Sequence, residues 1–259
     1  MEQTRKARSM GMKKVNAAAD IALINQYSMR ELTPEEVYCF SVILCDNEVD
    51  RDFERFPVST LEKLAPMYTG KSGVLDHQWT AKNQIARIYR TEVEKTGETN
   101  TLGEPLVRLR GSAYMLRNET SQPYIDKIES GILKEVSIGC SVGRNTCSIC
   151  GCEYGKCEHR KGQRYGEKLC FFELMDPVDA YEWSFVAVPA QRGAGVSKGK
   201  QDILAAFKLL LGADLSLFEP QVNALLPRLL KAQKTEKERL ERERILRENK
   251  EFLKEKGEM

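Results

Sequence analysis

The sequence has no long apolar run and little net charge, and each absence excludes a class of protein. No stretch of about 18 apolar residues occurs in the 259 positions, so we expect no membrane-spanning helix. The first ten residues, MEQTRKARSM, are basic and polar and lack the apolar core of a secretory signal, so we expect a cytoplasmic protein. The formal net charge of +2 gives no electrostatic case for a dedicated nucleic-acid binder.

What the chain does contain suffices for one folded domain with an appendage. With 41% hydrophobic residues it can bury a single core of roughly 150 to 200 residues. Composition shifts divide it into a basic and helical segment at 1–30, a main domain at 31–190, a polar linker at 191–200 and a highly charged helical tail at 201–259. Leucines spaced near seven apart give the tail one narrow apolar stripe.

The main domain alternates short strand patterns with two helix patterns. Strands are predicted for VYCFSVILC, for residues 73–76, 84–93 and 106–116, for KEVSIGCSV, and for two segments around Asp176-Pro177. One helix is predicted to begin at a Ser59-x-x-Glu62 capping box, and a second to run over 122–130. This order predicts an α+β fold built on an antiparallel barrel or curled sheet.

Six of the eight cysteines fall in one short region, at positions 140, 147, 150, 152, 157 and 170. In a reducing compartment such clustering indicates a metal site more than a disulfide framework. Cys147-x-x-Cys150 and Cys157-x-His159 have the spacing of a zinc knuckle, and we place them in an insert at 144–170. Four protein ligands would make a closed, structural site, with Cys152 and Cys170 as alternative ligands.

Histidine is scarce, which narrows the choice of a catalytic base. Only His77 and His159 are present, and His159 belongs to the cysteine cluster. His77 follows a predicted strand and enters a loop, a usual place for catalytic residues. Ser137 lies in Val-Ser-Ile-Gly, where a nearby glycine lets the backbone approach a substrate carbonyl. Taken separately, both patterns are also typical of ordinary structural residues.

Three motifs in order resemble the prohead serine protease family of tailed bacteriophages. They are the run DNEVDRDFERFP through LDHQW to ARIYR, the Ser-hydrophobic-Gly of KEVSIGCSV, and the Glu-x-Ser-x-Val-x-x-Pro-Ala of YEWSFVAVPA. The resemblance implies an assemblin-like β-barrel flanked by helices, with His77 as general base and Ser137 as nucleophile. Assemblins orient the base with a second histidine, whereas here an acidic residue must serve. We choose Glu182 from the third motif over Asp76, Glu135, Asp176 and Asp179.

The function implied by the resemblance is that of a serine endopeptidase needing no catalytic cofactor. It would process scaffold protein, major capsid protein and itself inside the assembling prohead in the host cytoplasm, and would self-associate there. The resemblance also supports the insert, whose zinc would be structural. The alternative is a noncatalytic, zinc-stabilised assembly protein that binds scaffold, capsid protein or DNA through the insert and the charged tail.

Overall fold

A computed structural model of the protein describes residues 17–197, with side chains from position 20 onward. Residues 1–16, the end of the predicted linker at 198–200 and the predicted tail at 201–259 lie outside the described residues. Within this range the α-helices are α1 (Ala17–Asn25), α2 (Val58–Tyr68) and α3 (Gln122–Glu129), and short 3-10 turns occupy Pro34–Glu36 and Ala81–Asn83. None of these helices is long and apolar enough to cross a membrane.

Ten strands make up the rest of the regular structure in the described range. They are β1 (Val37–Asp46), β2 (Glu54–Arg55), β3 (Ser72–Leu75), β4 (Ala86–Thr99), β5 (Pro105–Leu116), β6 (Val136–Cys147), β7 (Arg164–Tyr165), β8 (Lys168–Leu169), β9 (Phe172–Phe185) and β10 (Gly195–Ser197). Eight form one sheet in the order β10-β1-β5-β4-β3-β9-β2, with β6 also paired to β9, and β7 and β8 form a hairpin of their own. The prediction of an α+β fold is confirmed.

The predicted antiparallel barrel is wrong, because the sheet is mixed and does not close. β2 and β3 both pair with β9 in parallel. The ends of the sheet approach each other through an isolated bridge between Glu135 and Gly195 and a bond from the Val196 amide to the Lys134 carbonyl. β10 pairs with β1, and within the described residues no ladder joins it to β6, so the ring stays open.

The two strands predicted around Asp176-Pro177 are one strand. β9 runs through both residues and pairs with β6 along its length. The register shifts twice, once between Gly139 and Cys140 and once between Ser141 and Val142. Such bulges accommodate a proline, which cannot donate to a ladder.

Helix α2 covers the sheet beside β9. Leu61, Leu64 and Tyr68 are fully buried, in the same hydrophobic cluster as Trp183 of β9. The helix begins at Val58, one residue before the predicted cap, so Ser59 lies in its first turn and no side-chain cap bond forms. The predicted Ser59 capping box is therefore absent.

The folded sheet continues past the predicted end of the main domain at residue 190. Gly195–Ser197 pair with Ile43–Ser41 of β1. The Gln191 side chain accepts a bond from the Asp46 amide at 2.6 Å and donates one to the Asp46 carbonyl at 3.2 Å. Residues 191–197, assigned from composition to the linker, thus include a strand and a buried anchor.

Candidate active site and metal cluster

His77 lies in a strained turn directly after β3. Asp76 and His77 both have left-handed backbones, with φ of 50° and 54°. The Asp76 amide donates to the Phe185 carbonyl at 3.0 Å, and the His77 amide donates to Ser184 Oγ at 2.8 Å. Non-glycine residues in this conformation each cost on the order of 1 kcal/mol or more and cluster at functional sites. Bonds from β9 therefore hold His77 in an unusual conformation.

The imidazole of His77 contacts a buried carboxylate. Nδ1 of His77 lies 2.8 Å from Oε1 of Glu182, a residue 105 positions away. The Glu182 side chain is 6% exposed, whereas that of His77 is 42% exposed. A carboxylate here accepts a hydrogen bond from Nδ1–H, and in that tautomer Nε2 of the neutral ring is the acceptor. This is the tautomer that a general base requires.

Glu182 can reach His77 because its cross-strand neighbour is a glycine. Gly139 on β6 is the register partner of Glu182 on β9. A Cβ at Gly139 would lie 2.6 Å from Glu182 Oε1, the oxygen that contacts His77. The other oxygen, Oε2, is buried and has no hydrogen-bond partner within the described range. The glycine of the second motif therefore makes room for the carboxylate, a role that the sequence pattern did not suggest.

Ser137 lies on the same face of the β6–β9 ribbon. It is the register partner of Ser184 and is two residues from Gly139, so Ser137, Ser184 and Glu182 share one face. Ser184 is fully buried, whereas Ser137 is half-buried. No hydrogen bond joins Ser137 to His77 in the part of the chain described. Ser137 and Glu182 thus lie on paired strands, and β9 also holds the His77 turn.

The other acidic candidates do not contact the base. These are Asp76, Glu135, Asp176 and Asp179, and none forms a hydrogen bond or ion pair with His77 within residues 20–197. Asp176 instead pairs with Lys63 at 3.0 Å and with Arg144 at 2.9 Å, which lowers its pKa. Glu182 is the candidate that the geometry places against the imidazole.

A pocket of about 170 Å³ adjoins the candidate nucleophile. Its lining residues are Leu44, Asp50, Asp52, Glu54, Phe56, Val136, Ser137, Ile138, Cys140, Leu174, Ala190, Gln191 and Ala194. Asp50 accepts bonds from the amides of Asp52 and Glu54, and burial raises the pKa of its carboxyl. Asp50, Asp52 and Glu54 belong to the first motif, DNEVDRDFERFP.

The second group of chemically active side chains lies at the far end of β6. Cys147, Cys150, Cys157 and His159 place one ligand atom each within 4.8 Å of all the others. Cys147 is the last residue of β6, and the Gly151 amide, at φ 73°, donates back to its carbonyl at 2.9 Å. This tight turn brings Cys150 towards Cys147.

The spacing of the four atoms fits a tetrahedral ion. Two thiolates bound at about 2.3 Å to one zinc are roughly 3.8 Å apart, and a nitrogen and a sulfur are slightly closer. His159 Nδ1 lies 3.3 Å from Cys150 Sγ. A hydrogen bond from the Cys152 amide, with further bonds from neighbours including His159, lowers the pKa of Cys150 to about 6. This favours the thiolate at Cys150, the form that binds metal, whereas desolvation raises the pKa of Cys157 to about 11.

The alternative ligands occupy different places. Cys170 is fully buried, with its sulfur 4.0 Å from that of Cys147. Cys152 is exposed, and its carbonyl accepts a bond from the Cys147 amide at 2.8 Å. The predicted set of four is the one whose atoms converge, and Cys170 lies beside Cys147 as a fourth thiol.

The insert also supports the loop that lines the Ser137 pocket. Lys161 forms an ion pair with Glu54. A Cβ at Gly162 would lie 2.7 Å from the ring of Phe53, and the Phe53 carbonyl accepts a bond from the Phe172 amide at 3.0 Å. The cysteine-rich segment therefore contacts the loop that lines the pocket beside Ser137.

Comparison of the chain with known protein families, curated proteins and solved structures finds no match. The geometry of the two sites and the three sequence motifs are therefore the observations from which a function is argued.

Proposed function

We propose that this chain is a serine endopeptidase in which Ser137 is the nucleophile, His77 the general base and Glu182 the residue that orients the base. The observation that carries the proposal is the 2.8 Å contact between His77 Nδ1 and Glu182 Oε1. It joins a partly exposed imidazole to a buried carboxylate on the strand paired with Ser137. Nucleophile, base and orienting acid on adjacent elements are the arrangement that acyl transfer requires.

In the proposed reaction the Ser137 oxygen attacks a peptide carbonyl while its proton passes to His77 Nε2. The imidazolium, stabilised by Glu182, then returns that proton to the leaving amine, and an acyl-enzyme remains on Ser137. A water molecule then attacks the acyl-enzyme while its proton passes to His77 Nε2. Return of that proton to the Ser137 oxygen releases the peptide's new carboxylic acid. Because Ser137 and His77 are not hydrogen-bonded in this structure, substrate binding must bring them into reach, as is common for catalytic contacts.

The substrates follow from the motif resemblance. A prohead protease would cleave scaffold protein and capsid-protein extensions, and its own chain, within the assembling shell. The pocket beside Ser137 offers both apolar and acidic walls to such a peptide. Self-association within the prohead belongs to the same proposal.

The cysteine cluster is proposed to bind one zinc ion through Cys147, Cys150, Cys157 and His159. Four protein ligands leave no position for a reactive water, so the ion would stabilise the insert and take no part in hydrolysis. Cys157 and His159 belong to the segment whose Lys161 pairs with Glu54, so a bound ion would also steady the loop beside Ser137.

Expression of the full chain alone, followed by intact-mass measurement, tests the peptidase. We expect self-cleaved fragments from the parent chain and an uncleaved chain from Ser137→Ala. Ser141→Ala is the matched control, because Ser141 lies on the same strand, opposite Asp179 and away from Glu182. A parent chain that stays intact and also leaves scaffold and capsid protein uncut would favour the noncatalytic alternative.

The proposal also includes self-cleavage that would release the tail. We predict a cut between Gln191 and Asp202, but Gln191 is buried and Gly195–Ser197 are paired with β1. A scissile segment must lie extended in the active site, so bonds already held in the sheet are poor substrates. The proposal therefore narrows to the five residues after Ser197, and fragment masses would locate the cut.

A chain ending at Lys200 should cleave a soluble peptide but fail to enter proheads, and its normal incorporation would contradict a targeting role for the tail.

A further inference from the structure

We infer that Ser184 is a positioning residue that sets the place of the catalytic base. This inference rests on the proposed function, because it assigns a second serine to the same site. Ser184 lies in the third motif, where sequence reasoning selected only Glu182. Its hydroxyl oxygen accepts the backbone N–H of His77 at 2.8 Å.

Ser184 cannot itself be the nucleophile. It is 0% exposed, whereas its register partner Ser137 is half-buried and lines the pocket. A substrate carbonyl could therefore reach Ser137 but not Ser184. The two serines are register partners that differ in exposure. The exposed fraction of Ser137 allows it to react, whereas buried Ser184 can only hold the backbone of His77.

The bond from His77 to Ser184 acts where the backbone is strained. His77 has φ of 54° and follows Asp76 at 50°, so the turn needs outside contacts to persist. Val74 is paired with Ser184 in the parallel ladder, and the Asp76 amide bonds to the Phe185 carbonyl. The Ser184 hydroxyl is the contact that reaches the His77 backbone itself.

Ser184 also joins the base to its orienting acid. Glu182 and Ser184 are two apart on β9 and share a face, so one strand holds the His77 ring through Nδ1 and the His77 backbone through its amide. Two such anchors determine where Nε2 points. Without the hydroxyl the ring would keep one anchor, and the position of Nε2 would vary.

The test compares the parent chain with Ser184→Ala in its zinc-supplied, full-length form. We expect kcat on a peptide substrate to fall about 10- to 100-fold with KM almost unchanged, since misplacement of a catalytic group costs rate more than binding. Phosphonylation of Ser137 by a fluorophosphonate, with loss of fluoride, should slow by a similar factor. Ser184→Thr, which keeps the acceptor, should recover much of the rate, and Ser184→Cys, a weaker acceptor of similar size, should lie between.

The matched control is Ser112→Ala, which removes another buried serine hydroxyl of the same sheet, one that accepts from Arg90 instead. Melting temperatures should fall comparably in both alanine variants while only Ser184→Ala loses rate. An unchanged rate in Ser184→Ala, or equal losses in both, would overturn the inference.

A second readout separates this inference from the proposed function. The Nδ1 proton of His77, bonded to Glu182, should give a low-field proton resonance that disappears in His77→Gln. We expect Ser184→Ala to weaken or broaden this signal and Ser112→Ala to leave it unchanged. If the parent chain neither cleaves nor labels, the peptidase proposal fails, and the resonance alone decides whether Ser184 positions His77. A resonance unaffected by Ser184→Ala would contradict the inference.

Discussion

The two ends of the β6–β9 ribbon carry two sites that are assembled in opposite ways. At one end, Ser137 shares a face with Ser184 and Glu182, and the contact between His77 and Glu182 spans 105 positions. At the other end, Cys147 closes β6 and finds its partners within residues 147–159. The first site depends on the register of three strands, and the second depends on one local turn and a short return of the chain.

This difference predicts how each site should fail. Local ligands converge because few dihedral angles separate them, so an ion can organise them even when the rest of the fold is perturbed. The candidate active site takes its geometry from the pairing of β3 and β6 with β9. Substitutions of Ser137, His77 or Glu182 should therefore lower the rate of peptide cleavage. Substitutions of the clustered cysteines should lower the stability of the fold.

The largest effect should come from the reacting groups. Ser137→Ala and His77→Ala should each lower peptidase activity by roughly four orders of magnitude or more, and the double variant should be little worse, because triad members act as a unit. Rates on a capsid-protein substrate, with circular dichroism to establish folding, check this. Near-parental processing by either variant would remove that residue from the site.

A smaller loss is expected from the orienting acid. Glu182→Gln should reduce kcat on the order of tens to thousands of fold, because the amide no longer stabilises the imidazolium while nucleophile and base remain. Asp179→Asn is the control, since Asp179 lies on the same strand but faces Lys71 at 3.7 Å. Equal rates for the two variants would exclude Glu182 from catalysis.

Gly139→Ala tests the same contact from the neighbouring strand. The added methyl group would lie 2.6 Å from Glu182 Oε1 and must displace the carboxylate from His77. We expect activity to fall about 10- to 100-fold, since even an ångström of misplacement has effects of this size. Gly143→Ala on the same strand, where the nearest atom is 3.2 Å away, should cost far less. If Gly139→Ala were fully active, the glycine would not be making room for the acid.

Metal removal should affect activity least and stability most. Purified protein should hold about one zinc per chain, and Cys157→Ser should lose it, whereas Cys39→Ser on β1 should keep it. Zinc binding contributes on the order of 10 kcal/mol in isolated fingers, so the insert should unfold locally. Ser137 lies ten residues before Cys147, about 30 Å along an extended strand, so an effect should reach it only indirectly, through the Lys161–Glu54 contact. We therefore expect less than a tenfold loss of rate. Protein prepared without chelator and found free of zinc by elemental analysis would contradict the assignment.

Sequence reasoning predicted the local site better than the distant one, for a physical reason. Cys147, Cys150, Cys157 and His159 could be selected as a set because spacing alone limits where such close residues can lie. Selection of Glu182 depended on a motif, since no spacing connects it to His77.

What could not be predicted depends on strand register. The closeness of Gly139 to Glu182 and the bond from His77 to Ser184 arise from pairings of β6 and β3 with β9 that tertiary packing decides. The same limit explains why the pattern predicts two strands where β9 is one, and a barrel where the sheet is open and mixed. A pattern of alternating residues indicates a strand but not its neighbours.

The central claim is that Ser137 is activated by His77, and covalent labelling tests it most directly. The full-length chain would be treated with a fluorophosphonate and the adduct located by peptide mass spectrometry, beside His77→Ala and Ser141→Ala. The account predicts one adduct, on Ser137, formed at the parental rate in Ser141→Ala and at least a hundredfold more slowly in His77→Ala. Absence of an adduct on Ser137 in the parent chain, or equal labelling in His77→Ala, would contradict it.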